Sequence, residues 1–211
     1  NNNNKEEIKR YYIKDNENIN KIMVKINHQV NSLSQLFEKC ACISSINFKV
    51  FNRKNITDMS YMFKYCCSLR NLNISNFATT NVTNMRCLFD GCLLLNEIDL
   101  SHFRTRNVTD MGGMFYNCSS LKNVDLSNFD TINVTDLSWM FAGCRSLKKI
   151  NLSNFCTPKV LSMIEMFFNC SQLEEVNISN FIYRNNVHTD RMFEGCSSLK
   201  QEKIITKFIV L

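Results

Sequence analysis

The chain has 211 residues, 45% of them apolar and 21% charged, with five glycines and one proline. That length suits one domain with a sizeable core, and the composition excludes a disordered chain and leaves no room for a flexible linker. The formal net charge of +6 comes from scattered basic residues, which is weak evidence for nucleic acid, and no apolar run approaches the roughly 20 residues that span a bilayer.

In chain order, Asn1 to Asn4 open a stretch rich in Asn and charge, and residues 1–20 are expected to be irregular. No initiator Met is present, which fits a fragment or a processed product. Ile22, Val24 and Ile26 alternate as a short opening strand does, and with Val30, Leu33 and Leu36 they suggest an N-terminal cap over residues 21–36.

Residues 37–200 are tandem repeats. Phe37, Phe63, Phe89, Phe115, Phe141, Phe167 and Phe193 recur at intervals of 26. Three residues after each comes Cys40, Cys66, Cys92, Cys118, Cys144, Cys170 or Cys196, and six after each comes Ile43 or a Leu from Leu69 to Leu199. In the unit that starts at Phe115, Leu121, Val124 and Leu126 carry the alternation of a short strand, while Val134, Leu137, Met140, Phe141 and Cys144 share one face of a helix. Strands are therefore predicted near 43–48, 69–74, 95–100, 121–126, 147–152 and 173–178, in one parallel sheet. Helices are predicted near 56–64, 82–90, 108–116, 134–142 and 160–168.

Asn107-x-x-Asp110 and Asn133-x-x-Asp136 look like capping boxes. Gly91, Asn117, Gly143, Asn169 and Gly195 stand where a left-handed residue closes a helix, whereas Lys39 and Tyr65 break that rule. The expected fold class is an α/β solenoid of one short parallel strand and one short helix per coil, stacked so that each coil buries its neighbour's apolar faces. Ile204 to Leu211, in the closing segment 201–211, is an apolar strand that should pair with a missing continuation, a folded-back cap or a partner chain.

The string Asn107 to Phe129, NVTDMGGMFYNCSSLKNVDLSNF, resembles the BspA-type leucine-rich repeat, or DUF285, over about residues 30–200. The resemblance implies a right-handed leucine-rich-repeat-like superhelix without catalytic activity. Such proteins are common on the surfaces of bacteria and mycoplasmas and in protists, and the bacterial ones act in adhesion to host or matrix proteins. The sixth unit departs from the pattern: Val187 comes one place late and Thr189 replaces Met, so that loop is expected to be distorted.

The residues offer no catalytic set. The cysteine total is odd, 11, and no Cys-x-x-Cys pair with matching His occurs, so a reduced packing ladder is favoured over zinc or disulfides. His28, His102 and His188 lie far apart in the repeat frame, with His102 in the row Asn76, Asn128, Asn154 and Asn180. Asp99 and Asp125 belong to an outward row that otherwise reads Asn47, Asn73, Asn151 and Asn177, a stacked polar ladder. Ser75, Ser101, Ser127, Ser153 and Ser179 read as turn residues rather than nucleophiles. The repeat itself generates the Asn-x-Ser/Thr triplets, such as Asn107-Val108-Thr109, and a structural role is favoured over glycan attachment.

A protein partner is expected on the sheet face, at the varied outward row Ser45, Asn71, Glu97, Asn123, Lys149 and Glu175, with Arg104 and Arg106 on the adjacent rim. Those arginines belong to a basic strip with Arg53, Lys54, Lys159 and Arg184. The expected function is a non-enzymatic protein-binding scaffold, a surface adhesin by resemblance, needing no cofactor, metal or nucleic acid. The alternative is a structural subunit locked into a larger assembly through its open end, with end-to-end association through 204–211. The resemblance points to the cell surface or outside, whereas many unpaired thiols suit the cytoplasm.

Overall fold

The computed structural model describes residues 30–48, 54–183, 186–206 and 209–210. The opening strand expected at Ile22 to Ile26, the irregular segment 1–20, Arg53 and Arg184 lie outside them. Within them the chain is a stack of coils in register at 26 residues, and consecutive coils pair in parallel.

On one side lie the short strands β1 (Ser45–Asn47), β2 (Asn71–Asn73), β3 (Lys149–Asn151) and β4 (Glu175–Asn177). Strand β1 pairs with β2, and β3 with β4. The expected single sheet is interrupted: coils 95–100 and 121–126 carry no strand. Between them the backbone is tied by sparse bonds, such as the Lys122 N–H to the Asn96 carbonyl at 3.1 Å. These two coils place Asp99 and Asp125 where their neighbours place Asn.

The other side corrects the sequence reading most. Residues 56–64 and their equivalents form consecutive tight turns instead of helices, and the only helical element among the described residues is a 3₁₀ turn at Gln201–Lys203. In the coil at 59–66, the N–H groups of Met62, Lys64 and Cys66 each bond the carbonyl three residues back. Those of Met59, Tyr61, Phe63 and Tyr65 reach into the next coil, to the carbonyls of Asn84, Arg86, Leu88 and Asp90, at 2.7–3.0 Å. An α-helix satisfies its N–H groups internally and would leave this cross-link unmade.

Each such segment needs two left-handed residues four apart: Tyr61 and Tyr65 here, Trp139 and Gly143 further on. The Gly and Asn positions before each Cys are indeed left-handed. Lys39 and Tyr65 are left-handed as well, at φ 62° and 59°, so they keep the pattern they were expected to break. A non-glycine residue held there costs about 1–3 kcal/mol. Four cross-coil bonds at roughly 0.5–1.5 kcal/mol each offset that cost. A continuous row of parallel bridges runs beside these turns, from Ser32 through Asp58, Asn84, Asp110, Asp136 and Ser162 to His188. The irregular sixth unit keeps this register.

The presumed capping boxes work differently. The Asp110 and Asp136 carboxylates accept the N–H two residues on, at 2.8 Å, and so open the turns. The Asn107 and Asn133 amides donate to carbonyls of the preceding coil, also at 2.8 Å. Inside the stack run two phenylalanine ladders. Rings from Phe37 to Phe193 are near-parallel at 5.3–5.7 Å, and Phe103, Phe129, Phe155 and Phe181 follow at 6.3–6.5 Å.

The C-terminal segment pairs with the chain's own last coil, in parallel, as further rungs of the stack rather than as a folded-back cap. Strand β5 (Ile182–Tyr183) receives β7 (Ile209–Val210), and β4 receives β6 (Ile204–Ile205) with Val176 opposite Ile204.

Candidate functional site on the sheet face

A strand's side chains alternate between its faces. Ile46, Leu72, Ile98 and Val124 turn toward the core, and Ser45, Asn71, Glu97, Asn123 and Lys149 are exposed, with Glu175 partly so. The six residues are therefore all at least partly exposed, with Ser45 opposite Asn71 and Lys149 opposite Glu175 in register. Their charges are unevenly available. Lys149 Nζ lies 3.2 Å from Glu175 Oε2, so this neighbouring pair is neutralised internally. On the rim Arg106 pairs with Asp130 at 3.0 Å. Arg104 donates to the carbonyls of Phe103 and Ser101, at 3.0 and 3.4 Å. Lys159 donates to Asn133 Oδ1, so three of the strip's described residues, Arg104, Arg106 and Lys159, are engaged within the stack.

Glu97 has no ion-pair partner among the described residues. Two further carboxylates stand in the second outward row. The Ser101 hydroxyl and N–H hold the Asp99 carboxyl below the usual carboxylate range, and the Ser127 N–H and hydroxyl do the same for Asp125. Both remain acceptors facing solvent. Their turn-forming role is shared by Asn73, Asn151 and Asn177, whose Oδ1 atoms accept the N–H of Ser75, Ser153 and Ser179.

The floor beneath these rows also changes along the stack. In β3 and β4 it is sealed, with Ile150 and Val176 5% and 0% exposed. In the first four coils Ile46, Leu72, Ile98 and Val124 are only half-buried, and the face sinks into an open depression of about 680 Å³. Arg70 borders it beside Asn71. The sequence alternation shows that these aliphatic residues point inward. It does not show that their cover is incomplete.

The other candidate groups are structural. Cys66, Cys92, Cys118, Cys144, Cys170 and Cys196 each donate an S–H to the carbonyl of a Phe in the preceding coil at 3.0–3.2 Å. Burial pushes the Cys66 thiol up to about 12, and raises Cys92, Cys118 and Cys144 too. Such thiols are poor nucleophiles. All eleven cysteines are free. A second ladder went unread in the sequence although it has the same period: Thr79, Thr105, Thr131 and Thr157 are each 1% exposed and donate to a carbonyl of the next coil. His102 stands edge-on to Phe103 at 5.1 Å, and its Nε2 is buried without a hydrogen-bond partner among the described residues. In the same row, Asn128 and Asn154 each donate to two carbonyls of the preceding coil. No group of three or more His, Cys, Asp or Glu among the described residues is placed to hold a metal ion.

Short parallel rungs, tight turns and stacked Leu, Phe and Cys ladders define a leucine-rich-repeat solenoid. The family model DUF285, described as a mycoplasma protein of unknown function, matches residues 31–149 and 121–208, and the chain belongs to that family. No curated protein matches. Among solved structures, the Treponema pallidum leucine-rich-repeat protein TpLRR is similar at 15% identity and a TM-score of 0.40, over 84% of this chain and 62% of that one. A leucine-rich cell surface protein from Faecalibacterium prausnitzii is 17% identical with a TM-score of 0.34, over 83% and 62%. A Bacteroides ovatus leucine-rich-repeat protein is 19% identical with a TM-score of 0.33, over 84% and 64%. This chain therefore spans less than two thirds of each of those chains.

Proposed function

We propose that this chain is a non-enzymatic scaffold that binds another protein through its sheet face. The observation that carries the reading is the contrast within each coil. Leu, Phe, Cys and buried Thr positions repeat almost without change, while the exposed row changes from Ser45 to Asn71, Glu97, Asn123, Lys149 and Glu175. Packing dictates the first set and is indifferent to the second, which leaves that row available to a partner. An adhesin at a cell surface is the form that membership of the BspA-type family favours. The rival, a subunit fixed in an assembly by its solenoid end, has its own support in the apolar closing strands.

A photo-crosslinking residue at Asn123, compared with one at Tyr116 on the turn side, tests the reading in extract or on whole cells. Partner adducts from Asn123 are expected. Adducts from Tyr116 alone would move the site to the opposite face. Reversing charge at Glu97, Lys149 and Glu175 together is expected to weaken partner binding while leaving the melting temperature nearly unchanged.

A further inference from the structure

We propose that the depression over the first four coils seats an extended polypeptide segment bearing lysine or arginine, an inference that rests on the sheet-face reading above and narrows it. The seat has two independent parts. Its floor is the half-buried strip Ile46, Leu72, Ile98 and Val124, which the face leaves open there and seals at Ile150 and Val176. Apolar side chains of an occupant bury against that floor and remove it from water. Its wall carries Glu97, which has no ion-pair partner among the described residues, with Asp99 and Asp125.

The charge at the far end of the row cancels between Lys149 and Glu175, so the local field over the depression is set by the three carboxylates, with Arg70 at one border. The chain as a whole carries +6. A cationic segment is therefore not drawn in by the overall field, and attraction must come from this face. A bound strand alternates its side chains with a period of two. Apolar residues toward the floor and basic ones toward the carboxylates match that period, which selects an alternating basic and apolar segment.

The probe is a fluorescein-labelled peptide of alternating lysine and valine, with an alternating glutamate and valine peptide as its counterpart, both read by anisotropy. The receptor variant is Glu97→Gln, Asp99→Asn and Asp125→Asn together. Asn is the resident residue of this row at Asn47, Asn73, Asn151 and Asn177, so the fold tolerates it. The control is Arg191→Ala with Glu194→Ala, an exposed ion pair on the turn side.

The lysine peptide is expected to bind the native chain, to bind the control equally, and to lose about tenfold in affinity on the triple variant, the combined worth of three solvent-exposed ion pairs. Equal binding by the triple variant, or preference for the glutamate peptide, overturns the proposal. Failure of the lysine peptide to bind at all also overturns it. If partner crosslinks from Asn123 persist in that case, the sheet-face scaffold stands and only the basic occupant is wrong.

Discussion

At the scale of single residues, the stack is held by side chains that each serve two coils. Phe115 is fully buried, stacked between Phe89 and Phe141, and its carbonyl accepts the Cys144 thiol at 3.2 Å. Phe115→Ala should cost about 3–5 kcal/mol, read as a fall in the denaturation midpoint, and an unchanged midpoint would contradict this core. The thiols predict a pH dependence. Folding raises Cys66 from an ordinary 9.0 to about 12, so the folded state binds the proton more tightly than the unfolded chain. Its contribution is fully present below pH 9 and is lost as pH rises through that window. Alkaline melting should therefore steepen above about pH 9, less so in Cys66→Ala compared with its own neutral-pH value. The same burial implies that Cys118 and Cys144 resist alkylation in the native protein while exposed Cys42 reacts. Unpaired thiols of that kind do not demand a reducing compartment. Gly143 makes a different point. It holds φ at +76°, and a Cβ there would collide with the Asn117 side chain. Gly143→Ala should lose about 1–3 kcal/mol, with part recovered by adding Asn117→Gly, as thermal melts of the single and double variants would reveal.

At the scale of elements, two kinds of rung join the coils, and the turn side is the more continuous. Its bridges run unbroken from Ser32 to His188, whereas the strand side breaks at residues 95–100 and 121–126. Circular dichroism should accordingly lack the paired minima of α-helix, and a strong helical signal would overturn the turn assignment. Much of this was legible beforehand. The Phe, Cys and Leu ladders, the parallel stacking and the outward row all follow from a period of 26 and a strand alternation of two. The helices were misread because Val134, Leu137, Met140, Phe141 and Cys144 have the same spacing on a train of tight turns as on one helical face. Only the destination of the backbone N–H groups separates the two, and that destination lies in another coil. Trp139 and Tyr61 gave no local sign of left-handed backbone, since their conformation is imposed by the bonds across the stack. The open floor of the candidate site was not legible either: Ile98 and Val124 look in sequence like Ile150 and Val176, yet only the latter two are buried.

At the scale of the whole molecule, a solenoid has no centre, so its stability is a sum of coil-to-coil interfaces and its ends are the weak points. The described residues show this gradient directly. Phe63 to Phe167 are fully buried along the ladder, while Phe37 and Phe193 at its two ends are only partly so. Strand β6 counters the loss at one end. It covers the edge of β4, where Val176 and Ile178 are 0% and 1% exposed, and the Ile205 carbonyl accepts the Ile178 N–H at 2.9 Å. Removing residues 204–211 would uncover that edge, with its unpaired backbone groups and apolar side chains worth about 1.5–3 kcal/mol each when fully buried. An exposed apolar edge strand recruits another chain. The shortened chain is therefore expected to melt lower and to sediment as a concentration-dependent oligomer. If the shortened chain stays monomeric with an unchanged melting temperature, β6 and β7 do not protect the end of the stack.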